Sequence, residues 1–196
     1  MLVKDFMTSN PVTVTTENSA EETLELMKSL NFRQCPVVDG GKLVGIVTDR
    51  DIRASLVKGS DLKVGEIMAR EPITILDYAS VEGAAEIIRN GKFNALPVIT
   101  NKGDLVGILT VTDLLDAFLK LLVFHEKPQR LEVQMPEGIG LFDVLQIIQS
   151  NSEKVLSFSA APENRKLYYF WVVNCSFGEI EKALRYMNTK ISIIHP

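Results

Sequence analysis

The sequence predicts an α+β protein built from two similar small domains and a third, different one. Three observations lead to this prediction. The stretch VKDFMTSNPVTV recurs 61 positions later as VGEIMAREPITI. Both copies then alternate short β-type runs with apolar residues at helical spacing. After Phe124 the pattern changes, because HEKPQR is charged and contains a proline that ends a helix. We expect domains at residues 1–60 (the first repeat), 61–124 (the second repeat) and 130–196, with a linker at 125–129.

Each repeat shows the element order β-α-β-β-α. A short strand, PVTV or PITI, precedes a helix that begins at Ser19 or Ser80, both good N-cap residues. The next two strands flank DGG in the first repeat and NKG in the second, which are typical hairpin turns. A last helix runs from about Arg50 to Val57, and from Asp113 to Val123. Two copies of this length indicate a duplicated domain, packed as a pseudo-twofold pair, rather than a solenoid.

The segment after the linker has a different order, β-α-β-β-α-β. Its predicted strands are RLEVQM, KVLSFSA, KLYYFWVVN and TKISIIHP, and its predicted helices span residues 141–149 and 177–187. This order is that of a ferredoxin-like domain. The aromatic run in KLYYFWVVN has two interpretations, since its side chains either fill the core or pair with a second subunit.

Composition excludes several classes of protein. With 196 residues, 46% hydrophobic residues and a net charge of −4, the chain has a globular composition and lacks the basic footprint of a nucleic-acid binder. No apolar run is long enough to span a membrane, and the N-terminus lacks the apolar centre of a signal peptide. Cys35 and Cys175, with His125 and His195, show neither metal-ligand spacing nor a disulfide framework. We therefore expect a cytoplasmic protein without a metal.

The stretches GIVTDRDI and GILTVTDL repeat a Thr-x-x-Asp motif at a strand-to-helix junction. One interpretation is a capping box, in which both side chains bind free backbone N–H groups. The other uses the positive end of the helix, which attracts a phosphate, while the aspartate accepts bonds from two vicinal hydroxyls. The glycine before each motif favours the second interpretation, because it lets another group approach the backbone. A ribose phosphate offers both kinds of group.

With these motifs, residues 1 to about 124 resemble a tandem pair of CBS domains, also called a Bateman module. The resemblance implies two pseudo-symmetric clefts that bind AMP, ADP, ATP or S-adenosylmethionine as a regulatory ligand, and a homodimer. It implies that Asp51 and Asp113 bind the ribose hydroxyls and that Thr48 and Thr110 bind the phosphate.

The same resemblance implies further site residues. The base pocket would be formed by Thr13, Thr74 and the backbone before Pro36 and Pro97, at Cys35 and Leu96. Arg50 is placed to meet a phosphate, as is Arg33, although Arg33 is equally well explained as a solvated surface arginine. Their counterparts in the second repeat are Thr112 and Asn94, so we expect the two clefts to differ. Cys35 is expected to be a pocket-wall or core residue rather than a reactive thiol.

The stretch MPEGIGLFDVLQIIQSN resembles the opening of an ACT domain. Pro136, Glu137 and Gly140 fit that family's strand-to-helix turn, and Gly138 is an additional glycine. The resemblance implies an amino-acid effector bound at this turn; the alternative is a tight turn that needs glycine with or without a ligand. A CBS pair followed by an ACT-like domain resembles the acetoin-utilisation type of CBS protein.

We find no nucleophile–base pair and no phosphate-binding glycine loop in the sequence, so we expect a non-catalytic sensor. It would bind adenosine nucleotides and signal through dimer geometry, through the ACT-like domain, or to a regulated protein partner. The alternative is a ligand-free assembly scaffold whose clefts are vestigial.

Overall fold

The chain folds as a mixed α+β protein. Its structure, a computed structural model, describes residues 1–57, 62–121, 128–135, 138–187 and 190–194. The chain divides into two units, Met1–Ala117 and Phe118–Pro196. The first unit contains the first repeat and the second repeat as far as Ala117.

The predicted order β-α-β-β-α is present in each repeat, with two additions near the start. A short helix and a two-residue strand come first in both copies, and neither was predicted. In the first repeat the segment PVTV forms only one bridge, between Val14 and Val37. The elements are a 3₁₀ helix Val3–Asp5, β1 Thr8–Ser9, α1 Ala20–Ser29, β2 Gln34–Asp39, β3 Lys42–Thr48, α2 Asp49–Leu56, α3 Val64–Ile67, β4 Ala69–Arg70, β5 Ile75–Leu76, α4 Val81–Gly91, β6 Ala95–Ile99, β7 Leu105–Thr110 and α5 Val111–Leu121.

The predicted hairpins are confirmed. β2 and β3 pair antiparallel around Gly40 and Gly41, whose φ values of +53° and +79° suit the tight turn that glycine permits. β6 and β7 also pair antiparallel. The predicted N-caps are confirmed as well, since the hydroxyls of Ser19 and Ser80 accept bonds from backbone N–H groups of the first turn of α1 and α4.

The short strands β1 and β4 are exchanged between the repeats. β4 of the second repeat completes the sheet β2-β3-β4 of the first, where Gly45 lies opposite Arg70. β1 of the first repeat completes the sheet β1-β7-β6-β5 of the second, where Ser9 lies opposite Gly107. Each repeat therefore supplies an edge strand to the other.

Backbone bonds outside the sheets follow the same reciprocal pattern. The Val3 N–H donates to Ala79 O at 2.9 Å, and the Val64 N–H donates to Asn18 O at 2.9 Å. These two bonds are related by the 61-residue shift of the sequence repeat. The two repeats are thus joined by equivalent contacts on both sides.

A core lies inside the first repeat, between its sheet and its helices. It is formed by apolar side chains of α1, the two long strands and α2, together with Val64 from the second repeat. The most deeply buried members are Met27, Cys35, Val37, Val47, Ile52 and Val64. Burial of such side chains contributes on the order of 1.5–3 kcal/mol each, so this core holds the start of α2 against the end of β3.

The second unit has the predicted order β-α-β-β-α-β. Its sheet is antiparallel with the strand order β11-β8-β10-β9. Gln129, which was expected in the linker, is the first residue of β8; residues 125–127 of that linker lie outside the described residues. The elements are β8 Gln129–Gln134, α6 Leu141–Ser150, β9 Ser152–Ala161, β10 Asn164–Cys175, α7 Phe177–Arg185 and β11 Lys190–Ile194.

The aromatic run of β10 divides between the two faces of this sheet. Phe170 is fully buried in the core formed with α6 and α7, and Tyr168 packs against that core. Tyr169 and Trp171 alternate with them along the strand. Their rings contact each other edge to face, with 6.2 Å between the ring centres. The Arg130 guanidinium lies 5.1 Å from the centre of the Tyr169 ring. Half of the run is therefore core, and pairing of the other half with a second subunit stays a prediction.

Among the described residues, no helix has both the length and the apolar character needed to cross a membrane.

Candidate functional site

Both Thr-x-x-Asp motifs stand where a strand passes directly into a helix. Thr48 ends β3 and is the N-cap of α2, so Asp51 lies in the first turn of that helix. The Thr48 N–H donates to Asp51 Oδ2 at 3.1 Å, the Thr48 hydroxyl donates to the same oxygen at 2.6 Å, and the Asp51 N–H donates to Thr48 Oγ1 at 3.2 Å. Thr110 and Asp113 repeat these three bonds at 2.7, 2.8 and 3.2 Å. The capping interpretation of the motif is confirmed.

The capping bonds occupy only one of the two carboxylate oxygens of each aspartate in these motifs. Asp51 and Asp113 each accept through Oδ2, and within the part of the chain that the structure describes their Oδ1 atoms have no protein partner. Oδ1 can therefore still accept a bond from a ligand hydroxyl. The threonine hydroxyls are already donating to the aspartates, so a bond from either hydroxyl to a phosphate requires it to leave its carboxylate.

The glycine before each motif has no side chain, and this leaves room for a methionine side chain of the opposite repeat. A Cβ at Gly45 would lie 2.5 Å from Met68 Sδ and 2.9 Å from Ala69 O. A Cβ at Gly107 would lie 2.3 Å from Met7 Sδ. The close approach that the sequence suggested is therefore made by the exchanged strands, and these glycines serve the joining of the repeats.

A cavity of about 1030 Å³ lies beside the two motifs. Residues from both repeats line it, and they include four pairs that correspond in the sequence repeat. These pairs are Thr48 with Thr110, Arg33 with Asn94, Asp49 with Val111, and Arg50 with Thr112. The sequence predicted two separate clefts, whereas in this cavity corresponding residues of both repeats face the same space.

The cavity also has an apolar wall that the motifs did not reveal. Val12 is 42% exposed and Leu30 is 54% exposed, and Phe32 and Ile108 stand with them on the lining. Exposed apolar side chains beside a few polar groups are typical of small-molecule sites. The only signal in the sequence for this wall is that Phe32 recurs as Phe93 at the repeat distance.

Seven predicted nucleotide-site residues line the cavity: Arg33, Pro36, Thr48, Arg50, Asp51, Asn94 and Thr110. Six others are not among its lining residues: Thr13, Cys35, Thr74, Leu96, Pro97 and Asp113.

Cys35 lies in the core of the first repeat. Its side chain is fully buried, and its thiol donates to Val12 O at 3.1 Å. Burial raises the pKa of the Cys35 thiol to about 12, which suppresses its thiolate. The residue is therefore unreactive in the folded protein, and Leu96 is buried in the same way.

The cavity has a one-sided distribution of positive charge. Arg33 and Arg50 are exposed on its lining, and among the described residues no acidic side chain pairs with either of them. Asp49, which is also on the lining, pairs instead with Arg53 at 3.7 Å. The Arg33 carbonyl accepts from the Asp49 N–H at 2.9 Å, which fixes its backbone to the start of α2. Both guanidinium groups are available to an anionic ligand.

In the second unit, the predicted effector turn is described only in part. Pro136 and Glu137 lie outside the described residues. Gly138 has a φ of +85°, and Gly140 is the N-cap of α6, with its N–H donating to Asp143 Oδ2 at 3.2 Å. The glycines thus have a role in the turn itself, and a ligand there stays a prediction.

Within the described residues, no group of three or more histidine, cysteine, aspartate or glutamate side chains could hold a metal ion. His125 and His195 lie outside those residues.

The sequence profile of the CBS domain matches residues 3–58 and 64–120. A CBS domain-containing protein of Dictyostelium discoideum is 35% identical over 136 residues, which cover 62% of this chain and 94% of that protein. An inosine-5'-monophosphate dehydrogenase of Korarchaeum cryptofilum is 35% identical over 141 residues, which cover 72% of this chain but only 29% of the dehydrogenase. The similarity to that enzyme is therefore confined to a small part of its length.

Solved structures share the fold of the first unit. CBSX2 of Arabidopsis thaliana, solved in complex with AMP, is 33% identical with a TM-score of 0.56, over 61% of this chain and 97% of that one. The CBS domain pair of MJ0100, in complex with 5'-methylthioadenosine and S-adenosyl-L-methionine, is 32% identical with a TM-score of 0.57, over 60% and 95%. AcuB of Vibrio cholerae, named for acetoin utilization, is 29% identical with a TM-score of 0.59, over 64% and 96%.

Proposed function

Because the chain belongs to the CBS-domain family, we propose that it is a non-catalytic regulatory protein that binds an adenosine compound in the cavity shared by its repeats. The proposed compounds are AMP, ADP, ATP and S-adenosylmethionine, acting as regulatory ligands rather than as cofactors. One observation carries the proposal: Thr48, Asp51 and Thr110 line the same cavity as two arginines without acidic partners.

Different residues contact the ribose, the phosphate and the base of the ligand. Asp51 accepts the ribose hydroxyls through its free Oδ1 in this cavity. We propose the same role for Asp113 at the corresponding place in the second repeat, outside the lining of this cavity. Arg33 and Arg50 bind the phosphate together with the N-terminus of α2, whose N–H groups favour an anion. The base packs on the apolar wall that includes Val12 and Leu30. Pro36, Asn94 and Thr110, which also line the cavity, would make the remaining contacts. Thr13, Thr74, Pro97 and the backbone at Cys35 and Leu96, predicted for the base pocket, lie off this lining, and their contacts stay predictions.

Two solved relatives support this ligand class. CBSX2 binds AMP, and the MJ0100 pair binds 5'-methylthioadenosine and S-adenosyl-L-methionine. Both are more than 30% identical to this chain and cover its two repeats.

Calorimetric titration with the four proposed compounds tests the proposal. The informative variant is Asp51→Asn, because the amide oxygen can keep the capping bonds while an amide nitrogen replaces the free acceptor. A hydrogen bond to a charged group contributes about 1.5–3 kcal/mol, so we expect the affinity to fall at least about tenfold.

Asp143→Asn is the matched control. It makes the same change at a capping carboxylate of the second unit, where Oδ2 accepts from the Gly140 N–H. Binding should be unchanged in this variant. If neither the wild-type protein nor the variants bind any of the four compounds, the proposed function is wrong.

The proposed function also includes a response of the protein to ligand binding. We propose a homodimer whose geometry responds to the ligand, and an ACT-like second unit of the acetoin-utilisation type that takes part in signalling or contacts a regulated partner. The β-α-β-β-α-β order of that unit and the similarity to AcuB support this arrangement. Both cysteines are free, which fits a reducing compartment such as the cytoplasm.

A ligand-free scaffold is the second candidate. The bonds within both Thr-x-x-Asp motifs favour it, because they give each motif a capping role that needs no ligand. The two unpaired arginines favour the sensor.

A further inference from the structure

In the described part of the second unit, both helices pack on the same face of the sheet. Phe170 lies on that face and is fully buried in the core with side chains of α6 and α7. Because side chains alternate along a strand, the opposite face, here called the open face, carries the other residues of β10. They form a partly exposed apolar row of Leu167, Tyr169, Trp171 and Val173. A contiguous apolar row outside the core is typical of an interaction surface.

Polar atoms beside Trp171 are shielded from water. Arg130 of β8 and Ser157 of β9 lie directly opposite Trp171 in the sheet, one on each side, so they share the open face. Arg130 Nε and Ser157 Oγ are buried, and within the described residues neither atom has a hydrogen-bond partner. A hydrated surface satisfies such atoms with water. The surroundings of Trp171 therefore resemble the dry centre of an interface.

The central charges of the open face are one of each sign. Arg130 and Glu132 lie two positions apart on β8 and form an ion pair at 3.0 Å, with 37% and 22% of their side chains exposed. The other charged side chains are exposed at the margins, with Lys154 on the edge strand β9 and Arg165 and Lys166 at the start of β10. Water screens charges at such margins. The centre therefore decides which partner fits.

This arrangement is complementary to itself. A two-fold axis that crosses β8 at Leu131 places Arg130 over Glu132 of a second copy, and Glu132 over Arg130. Because Trp171 lies opposite Arg130 and Tyr169 lies opposite Glu132, the same axis places Trp171 over Tyr169 of the second copy. Opposite charges and aromatic rings then meet twice each. A dimer interface with two-fold symmetry needs a surface of this kind.

Resting on the proposed homodimer, we propose that the open face is covered by the open face of a second copy, sheet against sheet. Two sheets packed in this way lie about 10 Å apart with interleaved side chains. The face spans four strands and the six residues of β8, which is roughly 20 by 20 Å. Two such faces bury on the order of 1,000 Å², near the lower limit of a specific interface. We therefore expect this contact to dissociate in the micromolar range.

Trp171 is the only tryptophan of the chain, so its fluorescence reports the open face directly. The first experiment dilutes the full chain from about 100 to about 0.1 µM and follows quenching by acrylamide together with particle mass by sedimentation. We expect quenching to rise at least about twofold as the mass halves, because separation of the sheets exposes the ring.

Charge reversal separates contacts between copies from contacts within one chain. Arg130→Glu and Glu132→Arg each place like charges over one another across the two-fold axis, so each variant should raise the dissociation constant at least about tenfold. An equimolar mixture of the two variants should restore wild-type quenching, since a mixed dimer again places opposite charges over one another. Mixing cannot repair the ion pair within either chain.

Arg185→Glu is the matched control. It makes the same charge reversal in the Glu181–Arg185 ion pair of α7, whose atoms lie 2.8 Å apart, on a helix that packs against the other face of the sheet. Neither quenching nor mass should change in this variant.

Two results would overturn the inference and leave the proposed homodimer standing. One is a mixture that behaves like the two separate variants, and the other is quenching that stays constant while the wild-type mass halves. A wild-type protein that is still a monomer at about 100 µM would overturn the proposed homodimer as well.

Discussion

The two carboxylate oxygens of Asp51 have different surroundings. Oδ2 accepts bonds from the backbone and hydroxyl of Thr48, while Oδ1 is left to the cavity. A residue of this kind stabilises the protein even without a ligand. A variant of Asp51 can therefore lose binding either because the helix cap is lost or because the ligand contact is lost. Stability and affinity therefore have to be measured separately at this position.

The cap itself gives the first prediction. Thr48→Ala removes the hydroxyl that accepts from the Asp51 N–H, and we expect the free energy of unfolding to fall by about 1–2 kcal/mol. Thr48→Ser keeps the hydroxyl and should cost much less. Urea denaturation measures both, with Thr13→Ala as the control, because Thr13 is exposed and caps no helix. Equal losses for the alanine and serine variants of Thr48 would contradict the capping role.

Cysteine reactivity gives the second prediction. The thiolate is the reactive form, and burial raises the pKa of the Cys35 thiol from 9.0 to about 12. A disulfide reagent at pH 8 should therefore modify the partly exposed Cys175 first and Cys35 only after unfolding, as read by mass spectrometry. The raised pKa also means that the neutral thiol contributes stability fully below pH 9, and that this contribution is lost as the pH rises toward 12. Modification of Cys35 as fast as Cys175 in the folded protein would refute its core position.

At the scale of elements, the exchanged strands decide how the repeats are held together. β1 and β4 have only two residues each, yet each closes the sheet of the opposite repeat. Met7 and Met68 enter the sheet beside them, over glycines that have no side chain to oppose them. The repeats are therefore joined by the pairing of β1 and β4 with the sheets of the opposite repeats, in addition to side-chain packing.

Crowding at these glycines gives the third prediction. In Gly45→Ala the new methyl group meets Met68 Sδ and the Ala69 carbonyl, and because the carbonyl cannot turn away we expect a loss of about 1–3 kcal/mol in stability. Gly107→Ala should behave similarly. Gly178→Ala is the control: nothing lies within 4 Å of its new Cβ, and α7 should gain up to about 1 kcal/mol from the better helix former. Thermal denaturation measures all three, and a neutral Gly45→Ala would show that the exchanged strand yields easily.

The helices and hairpins were predictable because their signals are local. Ser19 and Ser80 mark helix starts, and DGG marks a turn, within a few residues of the structure that they specify. The exchanged strands were not predictable in this way, because a two-residue strand has no periodicity and its partner lies about a hundred residues away for β1. Their trace in the sequence is the joint recurrence of Met7 with Met68 and of Gly45 with Gly107.

The candidate site was likewise predictable only in part. Thr48 and Asp51 were predictable because their motif recurs in the second repeat, and the two arginines because the second repeat has Asn94 and Thr112 in their place. The apolar wall was not, because Val12 and Leu30 look like core residues until the fold shows them exposed. The shared cavity was also not predictable, since it depends on how the two repeats face each other.

At the scale of the whole molecule, the chain consists of two units with separate cores. Among the described residues, those that line the cavity beside the two Thr-x-x-Asp motifs all belong to the first unit. A ligand that binds only the folded form of this unit stabilises it by mass action, by about 2.7 kcal/mol at a concentration a hundred times the dissociation constant.

This separation gives the fourth prediction. Saturating AMP should slow hydrogen exchange at backbone amides around β3, α2 and β7, while exchange in β9 and β10 stays unchanged. Exchange followed by mass spectrometry measures both units in one sample. At an AMP concentration near the wild-type dissociation constant, Asp51→Asn should reduce the protection. Equal protection of both units would mean that the ligand acts on the whole chain at once.

The exchanged strands also bear on the ancestry of the chain. A protein with only one repeat could complete its sheet only by taking the edge strand of a second identical molecule, which is how domain-swapped dimers arise. Tandem duplication of its gene would then have joined the two partners into one polypeptide. Once joined, the halves could accumulate different substitutions, of which Arg33 in one repeat and Asn94 in the other would be an example.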